Sequence, residues 1–214
     1  MDCSSCVSCC CSGAHQTWRQ MRIGTGIRVE YFSSAWMVLE VIGSIGVGLA
    51  AGSFALLAFG GDSLVELLSG LIVLSHLRAG SGRVETHGRR TELLTTGLLA
   101  ALIPVIGLGA VYSYVIGLRP EGSLLGITVA AGAVVIMPYL WYEKKRIGRE
   151  TGCLPLSIDA LESVTCFFMS VALLGGLLVE SFLGFWWADY LATAFILAFV
   201  AREVLESVRE IGEE

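Results

Sequence analysis

Charged residues are scarce in this chain. Only 15% of its 214 residues are Asp, Glu, Lys or Arg, and 55% are hydrophobic, whereas about one quarter of an average soluble domain is charged. A disordered chain is excluded, because it would combine low hydrophobicity with a high net charge. A soluble globular protein is disfavoured, because so few charges could not keep so much apolar surface dissolved. The composition therefore indicates an integral membrane protein, and the net charge of −5 argues against binding to nucleic acid.

The sequence also lacks the motifs of several other protein classes. Residues 1–27 contain no apolar run, so we expect no secretory signal peptide. No Ser/His/Asp or HExxH arrangement is present, and His15, His76 and His87 lie outside the apolar segments or at the very end of one, so we expect no enzyme. No Pro- or Ser-rich linker divides the chain. We therefore expect one transmembrane domain at 29–206, between a Cys-rich, flexible cytoplasmic tail at 1–28 and a short acidic tail at 207–214.

Long apolar segments make up most of the chain. About 20 apolar residues are needed for one membrane-spanning helix. Six segments are candidates, the last of them the shortest: Tyr31–Ala51, Phe54–Leu77, Leu93–Leu118, Gly122–Tyr142, Pro155–Val179 and Phe185–Val200. They are continuous and rich in Leu, Ala and Gly, unlike the alternating strands of membrane β-barrels. The sequence therefore predicts an all-α fold, a six-helix transmembrane bundle.

The basic residues predict the orientation of this bundle. Thirteen of the fourteen Lys and Arg residues fall in the N-terminal tail, the loops after the second and fourth spans, and the C-terminal tail. Arg119 alone falls on the opposite side, and Lys144 belongs to the loop after the fourth span. The positive-inside rule then places both termini in the cytoplasm. We expect a multi-pass protein of the plasma membrane or an inner membrane.

Six acidic residues lie in or at the edges of these spans, where a carboxylate costs at least about 2.5 kcal/mol: Glu40, Asp62, Glu66, Asp159, Glu162 and Asp189. No Lys or Arg is expected in the middle of a span to pair with them. Asp159 and Asp189 fall near predicted helix N-termini, where negative charge is favourable. Asp62 and Glu66 fall near the centre of the second span and have no such explanation.

The spacing of these acids indicates a cation site. Asp62 and Glu66 are four residues apart and share one helix face, as do Glu162 and Cys166, with Asp159 one turn earlier. Paired carboxylates repel one another when ionised, and either a divalent cation or a proton relieves the repulsion. Ligands of mixed oxygen and sulfur suit Zn²⁺. Protonated acids that hydrogen-bond between helices are the alternative explanation.

Three short motifs resemble the transmembrane part of the cation diffusion facilitator family. They are FGGDSLVE at 59–66, SIDALES at 157–163 and WWAD at 186–189, and the resemblance extends over residues 31–206. It implies a metal site built from Asp62, Glu66, Glu162 and Cys166, metal–proton antiport and a homodimer. The sequence departs from the family at Glu162, where many members have His, and at Cys166, where many have Asp. We also expect the family's cytoplasmic C-terminal domain to be missing.

The main hypothesis is therefore a secondary transporter that moves a divalent transition metal, Zn²⁺ above all, against protons. The alternative is a membrane-bound metal sensor or interaction subunit that transports nothing. A cluster of cysteines in the N-terminal tail fits either hypothesis, because it could capture soft metal ions or be incidental: Cys3, Cys6, Cys9, Cys10 and Cys11. Cys153 is expected to be a loop thiol.

Overall fold

The computed structural model describes residues 13–79, 85–152 and 154–213. These residues form helices and short connections without any strand, and the helices are α1 (Gly13–Ala51), α2 (Phe54–Ala79), α3 (Glu85–Val115), α4 (Leu124–Thr151), α5 (Leu154–Leu183) and α6 (Trp187–Glu213). The predicted all-α, six-helix fold is thus confirmed. The tail cysteines, Cys153 and the side chains of the three histidines lie outside the described residues.

Five helical segments are long and apolar enough to cross a membrane: Gly24–Ala51, Phe54–Ser75, Thr96–Val115, Leu124–Thr151 and Asp159–Leu183. The sixth helix is less apolar, because its uncharged stretch is limited by Asp189 on one side and Arg202 on the other. It packs against α2, α3 and α5 as part of the same bundle. The chain is a multi-pass integral membrane protein.

Two helix ends differ from the prediction. The fourth helix continues beyond Tyr142 through the basic segment to Thr151, so Lys144 is helical and its side chain is fully buried. The expectation of a loop at Lys144 is wrong, because hydropathy alone places a span's end at the first charges. The third helix likewise begins at Glu85, so Arg89 and Arg90 are helical rather than part of a loop.

Two tight turns make antiparallel hairpins of α1 with α2 and of α4 with α5. In the first turn, Gly52 adopts the left-handed conformation with φ of 67°, which glycine tolerates without steric cost. The Ser53 backbone N–H donates to the Gly48 carbonyl at 3.0 Å. In the second turn, Gly152 has φ of 69° and its backbone N–H donates to the Gly148 carbonyl. The predicted turn at residues 51–53 is confirmed.

The α1–α2 hairpin is closely packed because glycine lies at its contact. A Cβ atom at Gly60 would lie 2.8 Å from Ile45 Cγ1 and 3.0 Å from Ser44 Cβ, so only glycine allows this approach. The main apolar core combines side chains of α2, α3, α4, α5 and α6, and its fully buried members include Phe59, Met137 and Leu173. The acidic residues of α2 and α5 lie beside this core.

Candidate metal centre

Asp62, Glu66 and Cys166 form a buried group of ligand atoms between α2 and α5. One oxygen from each carboxylate and the Cys166 sulfur all lie within 4.8 Å of one another. Asp62 and Glu66 come together because they are one helical turn apart on α2. Cys166 reaches them from α5, which packs directly against α2. The structure thus brings together three of the five residues that the sequence suggested as metal ligands.

Hydrogen bonds fix one oxygen of the Glu66 carboxylate and leave the other without a donor from the described helices. Ser163 Oγ donates to Glu66 Oε1 at 3.4 Å, and the Cys166 thiol contacts the same carboxylate. Glu66 Oε2 is buried without a hydrogen-bond partner in the described part of the chain. An unsatisfied buried carboxylate oxygen is costly. The group is therefore suited to receive a cation or a proton.

Glu162 lies beside the three-residue group, one helical turn before Cys166 on α5. Its Oε1 accepts a hydrogen bond of 3.1 Å from Ser69 Oγ of α2, and its Oε2 has no partner among the described residues. Glu162 and Glu66 are close enough to interact electrostatically. The structure places Glu162 next to the group of ligand atoms rather than within it.

Asp159 takes part in a buried ion triad that joins α1, α4 and α5. Lys144 Nζ lies 2.5 Å from Asp159 Oδ2 and 3.7 Å from Glu30 Oε2, and all three side chains are at most 1% exposed. The expectation that no basic side chain inside the bundle pairs with the acids is therefore wrong for Asp159. Among the side chains whose burial the structure describes, Lys144 is the one fully buried basic group.

The ion triad lies against α2 at Gly70. A Cβ atom there would be 2.7 Å from Glu30 Oε1 and 3.9 Å from Asp159 Oδ1. Acidic side chains of α1, α2 and α5 thus lie one after another along the α2 segment from Asp62 to Gly70. We call Asp62, Glu66, Glu162, Asp159 and Glu30 the acid row; it connects the three-residue group with the triad.

A family model described as the cation efflux transmembrane domain matches residues 31–213. The chain belongs to the cation efflux family. The match includes the whole of α2 to α6 and every residue of the acid row except Glu30, and it confirms the resemblance noted from the sequence. A search among curated proteins finds no match. Cation efflux proteins are transporters of metal cations rather than enzymes, which agrees with the expected function class.

Sequence reasoning missed three buried charged residues of this cation efflux protein, of which Glu30 and Lys144 are partners in the ion triad. Glu30 falls just before the predicted start of the first span, and Lys144 falls just after the predicted end of the fourth. The helical period offered a signal for Lys144, because it continues the buried face of α4 formed by Ala133, Met137 and Leu140. Glu180, on α5, is also buried and lay just outside its predicted span.

Asp189 has a structural role at the end of the bundle where α1 turns into α2. It lies in the first turn of α6, as expected, but its carboxylate caps the N-terminus of α2. Ser53 Oγ donates to Asp189 Oδ1, and the backbone N–H groups of Phe54 and Ala55 donate to Oδ2 at 3.1 and 3.4 Å. Asp189 thereby fastens α6 to the first hairpin.

Proposed function

We propose that this protein transports a divalent transition metal, with Zn²⁺ the best match, in exchange for protons. The observation that carries the proposal is the buried group of Asp62, Glu66 and Cys166 in the interior of the bundle. Two carboxylates and a thiolate suit a borderline-soft ion that accepts both oxygen and sulfur ligands. Ca²⁺ and Mg²⁺ prefer oxygen ligands alone.

The proposed ligand set also includes the neighbouring acids of α5. Glu162 is one turn from Cys166, and its free Oε2 becomes available to the metal when the helices shift. Asp159 is a ligand in this proposal only in a state in which Lys144 has left it. These ligands bind metal only when deprotonated, so metal binding releases protons and protonation releases metal. This competition couples metal movement in one direction to proton movement in the other.

The rest of the proposal follows from the charge pattern and the family. Both termini lie in the cytoplasm, because nearly all basic residues fall on that side of the spans. The protein functions as a homodimer in the plasma membrane or an inner membrane. On the opposite side, Arg119 stacks over the Trp186 ring at 5.8 Å, and Tyr190 donates to the Leu118 carbonyl. Such aromatic groups are typical of a membrane interface.

Zinc flux into proteoliposomes under an imposed pH gradient tests the proposal. Asp62→Asn is expected to reduce flux at least about tenfold, since even the loss of a hydrogen-bonding partner of a metal ligand typically costs 10- to 100-fold. Glu180→Gln is the matched control, because Glu180 is an equally buried carboxylate outside the acid row. Zinc flux that does not depend on the imposed pH gradient would refute antiport. Intact protein without flux of any divalent metal would refute transport and favour the sensor or interaction subunit.

A further inference from the structure

Glu40 of α1 is a buried carboxylate that the α2–α5 group does not explain. Its side chain is fully buried. Trp36 Nε1, one turn earlier on α1, donates to Glu40 Oε1, and the Ser63 side chain of α2 lies beside the same carboxylate. Oε2 makes no hydrogen bond of ordinary geometry in the part of the chain that the structure describes. A buried carboxylate oxygen without a partner is rare in proteins, and each case calls for a physical reason.

The packing of α1 on α2 places Glu40 at the depth of Asp62 and Glu66. The two helices are antiparallel, and Gly60 of α2 lies against Ser44 of α1. One turn back along α1 from Ser44 is Glu40, and one turn forward along α2 from Gly60 is Leu64. Glu40 therefore lies level with the segment between Asp62 and Glu66.

Electrostatic contacts agree with this placement. Glu40 interacts through charge with each member of the three-residue group: Asp62, Glu66 and Cys166. The buried Lys144 pairs with Asp159 and Glu30 in the ion triad, so it is not the counter-charge of Glu40. Three carboxylates thus lie at one depth within electrostatic reach of one another, with Glu40 just outside the group whose ligand atoms lie within 4.8 Å. A divalent cation would relieve their repulsion.

Trp36 is held firmly enough to orient the Glu40 carboxylate. Its ring packs on Gly132 of α4, where a Cβ atom would lie only 2.6 Å from ring atom Cη2. The indole is therefore fixed between α1 and α4, and its N–H occupies one oxygen of Glu40 while leaving the other available. Such partners fix the orientation of metal ligands.

We propose that Glu40 is a further ligand of the transported metal, supplied by α1, and that Trp36 is its positioning residue. The inference rests on the proposed function and adds a third helix to the site. Asp62, Glu66 and Cys166 offer three ligand atoms, whereas Zn²⁺ takes four. Glu40 Oε2 is the fourth in this arrangement of the helices, in which the Glu162 carboxylate is held by Ser69 outside the group. The transported ion then bridges α1, α2 and α5, so its arrival and departure alter how α1 packs on α2.

Cadmium binding to the purified full-length protein tests this inference. The six cysteines other than Cys166 are replaced by Ser, so that the ultraviolet thiolate-to-Cd²⁺ charge-transfer band reports Cys166 alone. Glu40→Gln is expected to weaken Cd²⁺ binding at least about tenfold, as ligand and orienting substitutions do. Glu180→Gln, the same substitution at another buried carboxylate, should leave the affinity within about twofold. Trp36→Phe should weaken it less than Glu40→Gln, because the carboxylate remains.

The outcomes separate this inference from the proposed function. If Cd²⁺ gives no charge-transfer band in the parent protein, the proposed α2–α5 site with Cys166 as a ligand is wrong. If the band is present and Glu40→Gln binds with parental affinity, Glu40 is only a hydrogen-bonded acid and the inference is overturned. If Glu40→Gln does not fold, the Cd²⁺ affinities of Trp36→Phe and Glu40→Asp are measured instead. Parental affinity in both variants overturns the inference.

Discussion

Replacement of Lys144 by Met should strongly destabilise the bundle. Met has a similar length but no charge, so Asp159 and Glu30 would remain buried without a counter-charge. At 2.5 Å from Asp159 Oδ2, the Lys144 ammonium gains about 7 kcal/mol of attraction at an effective dielectric constant of 20. Several kcal/mol of this are offset because the ammonium has lost its water. Removal of one partner from a buried ion pair typically costs about 3–5 kcal/mol, and we expect a loss in that range.

The assay is equilibrium unfolding of the purified protein in mixed micelles, with tryptophan fluorescence as the signal. Lys145→Met is the matched control, because Lys145 is adjacent, only partly buried and stacked over the Trp141 ring at 4.5 Å. That contact is worth about 0.5–1 kcal/mol. Loss of both charges, in Lys144→Met combined with Asp159→Leu, should recover part of the stability. A cost below about 1 kcal/mol for Lys144→Met alone would refute the assignment of a buried ion triad.

Three further predictions use the same protein preparations. Gly70→Ala should cost about 1–3 kcal/mol in free energy of unfolding, because the new Cβ displaces Glu30; Gly46→Ala, which meets no atom within 4 Å, should be neutral or stabilising. Asp189→Ala should cost about 1–3 kcal/mol in free energy of unfolding, because the donors at the start of α2 lose their acceptor. Asp189→Asn should cost less. Equal stability of the parent protein and both variants would contradict the capping role. Cd²⁺ affinity at Cys166 should fall from neutral to mildly acidic pH, as protons compete for the ligands; a constant affinity would speak against antiport.

The sequence predicted those features that depend on a single helix. The spacing of Asp62 and Glu66 placed both on one face of α2, and the apolar segments predicted the number of helices. The close approach of Cys166 required only that α2 and α5 pack against each other, as the structure shows. Whether these residues bind metal stays a prediction.

Features that depend on two distant helices could not be predicted in this way. The periodicity of α6 says nothing of its contact with the start of α2, so the role of Asp189 as a cap for Phe54 and Ala55 was not foreseen. Glu30 and Lys144 were placed outside the spans because charges usually mark a span's end. Their burial depends on mutual neutralisation, which becomes visible only when α1, α4 and α5 are placed together.

The position of Lys144 and Asp159 on one hairpin has a consequence for the biogenesis of this protein. An unpaired Lys or Asp in an inserting helix costs free energy, up to about 2.5–3.5 kcal/mol at the helix centre and less towards its ends, where Lys144 and Asp159 lie. Only the turn around Gly152 separates α4 from α5, so the two helices can enter the bilayer as a pair with their charges already matched. Insertion of the hairpin as a unit would spare α4 and α5 the cost of unmatched charges before the rest of the bundle has assembled.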